Sequence, residues 1–150
     1  MWQQGIATSA LAAVALGQGF TFTIGSPVAS QDSRSKMAAF VFRIEGCAEP
    51  AKAQVGGTAE GLVDGARKSA ALKLTAMSTP GVYAVYPSWA TDGGDWVVNL
   101  TGTCAAASAG ALIPMGPNGF LRAASKFLPR AATAAEIDAA LRALSEGRHK

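Results

Sequence analysis

Phe40-Val41-Phe42-Arg43-Ile44-Glu45 sets Phe40, Phe42 and Ile44 on one side of an extended chain and Val41, Arg43 and Glu45 on the other. A period of two is the signature of a strand with one buried and one wet face. Comparable runs recur at Thr58 to Val63, Ala66 to Met77, Val82 to Tyr86 and Trp96 to Thr101. Turn signals separate them: Asp64-Gly65, Pro80-Gly81 and Asp92-Gly93-Gly94. Asp-Gly suits a two-residue hairpin because both central residues of a type I′ turn need positive φ. The gaps leave no room for crossover helices, so the sequence predicts an antiparallel β-sandwich.

After Cys104 the pattern changes. Ala105 to Ala109 reads as an Ala/Ser linker, and Ala111 to Met115 with Phe120 to Arg122 reads as a hairpin around Gly116-Pro117-Asn118-Gly119. Thr133-Ala134-Ala135-Glu136 is a capping box, ahead of Ile137, Leu141 and Leu144 at helical spacing. A short C-terminal helix is expected over about 133–146, its apolar stripe placed against a sheet edge.

The first 33 positions except Asp32 carry no charged side chain, and Ile6 to Leu16 is an apolar run. Val28-Ala29-Ser30 ahead of polar Gln31-Asp32 resembles a signal-peptidase site, with Ala15-Leu16-Gly17 before Gln18 as a second candidate. Residues 1–30 are therefore expected to be a signal peptide and 31–150 a single domain. An uncleaved anchor is the alternative, and it alone would tie the chain to a membrane. The expected location is periplasmic or secreted.

Of the hydrophobic positions, 49% of the chain, 32 are alanine, which leaves a modest set of large side chains for one core. The net charge is +3, and the basic residues stand singly rather than in an aromatic-laced stripe, which argues against a nucleic-acid partner. Two cysteines and one histidine exclude multi-ligand zinc sites and a mid-chain Ser-His-Asp triad. No nucleophile–base pair is evident, so no enzymatic activity and no cofactor are expected. Glu45, Glu49 and Glu60 could supply a carboxylate pair, but nothing in the pattern places two on one wall, and they read as solvated faces. Asn99-Leu100-Thr101 matches a glycosylation sequon but falls inside a strand.

In an exported chain, Cys47 and Cys104 are expected to form a disulfide. The antibody Cys-Trp-Cys spacing is missing, so the bridge reads as a staple of its own kind. Tyr86 and Trp89 flank the loop before the Trp96 strand, with Asp92 and Asp95 nearby. They read as an aromatic lid over the sandwich end, half-covering Trp89, or as a contact patch for another envelope protein or a glycan.

Gly81-Val82-Tyr83, a short loop, then Gly94-Asp95-Trp96 and an alternating strand resembles the C-terminal half of the YtkA-like and FixH-like exported domains. The resemblance implies an immunoglobulin-like sandwich with Tyr83 and Trp96 in its core. Some domains of that kind handle copper through His and Met ligands. Here the histidine is His149, and Met37, Met77 and Met115 form no Met-x-Met cluster. The expectation is a non-enzymatic binding or structural module of the cell envelope, with a copper-handling accessory domain as the alternative.

Overall fold

The computed structural model describes residues 19–27, 32–89 and 93–148. Among these residues lie ten strands and one α-helix. They are β1 (Thr21–Gly25), β2 (Phe40–Glu45), β3 (Gln54–Val63), β4 (Ala66–Ala71), β5 (Lys73–Ala76), β6 (Val82–Tyr86), β7 (Asp95–Cys104), β8 (Ala107–Gly116), β9 (Gly119–Phe120), β10 (Lys126–Leu128) and α1 (Ala134–Arg148). One sheet runs β1-β2-β6-β5 and the other β10-β8-β7-β3-β4, with β9 on β8. Every pairing is antiparallel. The first sheet has the A-B-E-D order of an immunoglobulin domain, and β8-β7-β3 the G-F-C order opposite it. The mainly β, immunoglobulin-like sandwich expected from the sequence is what the chain forms.

The alternation of β2 does what its pattern implies: Phe40, Phe42 and Ile44 are buried while Arg43 is exposed. Phe42 meets Phe22 edge-on at 5.5 Å and stacks on Tyr83 at 5.3 Å. The facing sheet answers these rings with small residues. A Cβ on Gly102 would lie 2.9 Å from the Phe22 ring, and Ala59, Ala109 and Ala111 are buried in the same core. The alanine-rich composition thus serves close approach of the two sheets around large aromatics.

The hairpin at Asp64-Gly65 has φ of 51° and 81°, as a type I′ turn demands. Its second arm, expected as one run from Ala66 to Met77, breaks at Leu72. β4 stays in one sheet and β5 crosses to the other, because Leu72 packs inward and its N–H reaches the Gly57 carbonyl at 3.2 Å. The linker expected over Ala105 to Ala109 is instead a two-residue turn at Ala105-Ala106, with β8 beginning at Ala107. Ala105 takes φ 54°, which small size permits at some cost.

The domain expected from residue 31 in fact includes β1. Thr21 to Gly25 pairs with Val41 to Glu45, and Phe20, Phe22 and Ile24 are buried in the core. Sequence alone hid this strand in the uncharged run before Asp32.

α1 carries the capping box: the Glu136 N–H donates to Thr133 Oγ1 at 3.1 Å, and the Thr133 N–H to Glu136 Oε1 at 2.8 Å. The helix runs on through Gly147 to Arg148. It does not sit at an edge. Ile137 and Leu141 pack on Val97 and Leu112, on the outer face of the second sheet, making a second small core.

Candidate functional site

β6 ends where Pro87 removes the ladder donor, and the chain turns at Ser88 and Trp89. It re-enters β7 through Gly93 and Gly94, at φ 66° and 81°. A Cβ on Gly94 would stand 2.6 Å from the Leu62 carbonyl oxygen, so this approach to β3 requires glycine. The geometry sinks both indoles. Trp89 is 5% exposed and Trp96 4%. The Trp96 ring lies against Gly61, whose Cβ would come within 2.6 Å of it, and Nε1 of Trp96 donates to the Gly93 carbonyl.

Beside the two indoles opens a cleft of about 860 Å³, within the range of about 300–1,000 Å³ usual for small-molecule sites. β8 contributes Pro114 and Met115, the segment after β9 Leu121, and α1 Ala140, Ala143 and Leu144. The helix faces the sheet with Ile137 and Leu141, and its alanines on the neighbouring positions leave the space open. Among the described residues the charged lining is Asp95, which is buried, and Lys126, which is exposed.

Trp89 therefore lines this cleft from within the core rather than standing on the surface. Tyr86 is placed differently: it is half-buried, and its hydroxyl donates to the Arg34 carbonyl. Asp92 lies outside the described residues. The lining from β8, β10 and α1 was not foreseen. Its sequence signal, small residues at Ala139, Ala140 and Ala143 beside the apolar stripe, becomes meaningful only once the helix is docked.

Cys47 and Cys104 are bonded, S–S 2.02 Å. Cys47 follows β2 and Cys104 ends β7, so the bridge joins the same two strands as the inter-sheet bond of antibody domains, but at their ends. It is less idiosyncratic than the spacing suggested.

Glu45, Glu49 and Glu60 do not gather but take separate partners. Thr23 donates to Glu45 at 3.3 Å, and Lys52 sits 3.5 Å from Glu49. Glu60 is not on a solvated face but buried on β3 beside α1. It accepts from Ser69 Oγ at 2.7 Å and from Arg67 Nη1 at 3.0 Å, and Arg67 Nε reaches Asp138 of the helix at 3.1 Å. Burial opposes the Glu60 charge, but bonds from Thr58, Ser69 and Arg67 outweigh it and hold the carboxyl below its ordinary range. Arg67 is correspondingly raised by Glu60. Asp32, fixed first by the Arg34 side chain and then by the N–H groups of Arg34 and Ser78, is held far below the carboxylate range. These networks pin elements together and present no open reactive group.

The sequon Asn99 lies on central strand β7, half-buried, with Nδ2 donating to Thr58 Oγ1 at 3.3 Å. Among the described residues no three His, Cys, Asp or Glu side chains converge as metal ligands. Met37, Met77 and Met115 lie on separate segments, and His149 is outside the described residues. Compared with known proteins, the chain matches no family model, no curated protein and no solved structure.

Proposed function

We propose that this chain is a non-enzymatic binding module exported to the cell envelope or periplasm, and that the cleft beside Trp89 and Trp96 holds its ligand. The observation that carries this reading is the cleft itself: two buried indoles and a wall of proline, leucine, methionine and alanine leave a concave apolar space. Among the described residues few hydrogen-bonding side chains face it, which suits an apolar body better than a glycan. Exposed Lys126 at its lining favours a ligand with an anionic end. The Cys47–Cys104 bond supports export, since such bonds persist in oxidising compartments. The resemblance of Gly81-Val82-Tyr83 and Gly94-Asp95-Trp96 to YtkA-like and FixH-like exported domains is in keeping with this reading.

Anilinonaphthalene sulfonate, apolar rings carrying one sulfonate, is a suitable probe. It is expected to bind the folded protein one to one and to quench indole emission. Ala143→Trp, at an exposed helix position lining the cleft, should abolish binding without lowering the melting midpoint. Binding unaffected by that substitution, or no binding at all, sinks the assignment of the cleft.

A further inference from the structure

The uncharged N-terminal run offers two places for a leader to be removed, and the two differ in what they do to the sandwich. A cut after Ser30 takes β1 away. β1 covers the edge of β2 through a five-residue antiparallel register, Thr21 against Glu45 to Gly25 against Val41. It buries Phe20, Phe22 and Ile24, and Phe22 is the edge-on partner of Phe42. Its Ile24 carbonyl accepts from Arg122 Nη2 at 3.0 Å, a tie across ninety-eight positions to the segment that lines the cleft. Pro27 is engaged as well, its carbonyl accepting from the buried Ser35 hydroxyl at 3.4 Å. Residues Phe20 to Pro27 thus belong to the folded body.

A cut after Gly17 spares all of it. Ala15 and Gly17 place small residues three and one positions before the bond, and the apolar run Ile6 to Leu16 ends immediately ahead of it. Its length falls within the usual apolar region of about 7–15 residues. A bond after Ser30 would instead lie far beyond that run, with an entire core strand between.

We propose that Gly17–Gln18 is the processing site of this chain, a proposal that rests on the export argued above. A membrane-bound signal peptidase adds one water across the bond. Gly17 leaves with the new carboxylate, Gln18 carries the new ammonium, and no other group changes. The mature protein then begins two residues before Phe20, so that β1 enters folding as its N-terminal strand.

The test is to express the full chain in a secreting bacterial host, fractionate, and determine the N-terminus by intact mass and terminal sequencing. The expected product is exported and begins at Gln18, with or without loss of ammonia by cyclisation of the terminal glutamine. Gly17→Tyr is expected to leave the chain unprocessed, and Ser30→Tyr to be processed like the wild type. An exported chain beginning at Gln31, or processing blocked by Ser30→Tyr and not by Gly17→Tyr, overturns the site while leaving export standing. A wild-type chain recovered intact from Met1 in the cytosol or membrane overturns export and the site together.

Discussion

Breaking the Cys47–Cys104 bond tests how much of this domain's stability comes from restraining its unfolded chain. The bond closes a loop of 57 residues. In the chain-entropy treatment such a loop removes about 14 cal/mol/K from the unfolded state, or about 4 kcal/mol at 25 °C. With an unfolding entropy of about 2.1 cal/mol/K per residue and a folded body of about 130 residues, that energy corresponds to a fall in midpoint of about 15 °C. Two perturbations separate the contributions. Reduction keeps both sulfurs in place, where Cys47 and Cys104 pack against the main core, and so isolates the loop. The double variant Cys47→Ala, Cys104→Ala also forfeits that packing and should melt somewhat lower still. Calorimetric melts of oxidised, reduced and doubly substituted protein at one pH provide the comparison. A midpoint that falls by less than about 5 °C on full reduction would falsify the argument, because the tie between β2 and β7 would then restrain nothing the sheets do not already hold.

Trp89→Ala and Trp96→Ala are expected to cost comparably, about 3–5 kcal/mol each, since both indoles are equally hidden; urea titrations that find Trp89→Ala near neutral would show its ring to be outside the core. Glu136 is lowered to about 2 by the Arg130 guanidinium first and the Thr133 N–H second. Its contribution is therefore present above the ordinary carboxylate value near 4.5 and is lost as pH falls from there towards 2. Glu136→Gln should destabilise the protein at pH 7 and flatten the fall in urea midpoint across that window, and an unchanged slope would remove the ion pair from the account.

The sequence by itself determined the features that arise within a few residues. Alternation in Phe40 to Glu45 and in Trp96 to Thr101 specified strands, because side-chain direction flips at every residue of an extended chain. Asp64-Gly65 specified a hairpin because few residue pairs accept two positive φ values in succession. Thr133 and Glu136 specified a helix start because their spacing satisfies two otherwise unpaired donors. The expected bond between Cys47 and Cys104 rested on reading the chain as exported with an even pair of cysteines, and the bond is present.

Tertiary structure decided everything that depends on which surfaces meet. β1 looked like part of a leader because Phe20, Phe22 and Ile24 have the same hydropathy whether they enter a membrane or a core; only pairing with β2 distinguishes the two. The sheet change at Leu72, the docking of α1 on Val97 and Leu112, and the near-equal burial of Trp89 and Trp96 are likewise long-range outcomes. The cleft follows from them. Ala140 and Ala143 are unremarkable residues of a helix until Ile137 and Leu141 anchor that helix to the outer sheet, and the space they leave unfilled becomes a wall beside two indoles. Local periodicity encodes which face of an element is apolar, whereas close packing between distant segments selects the partner for that face.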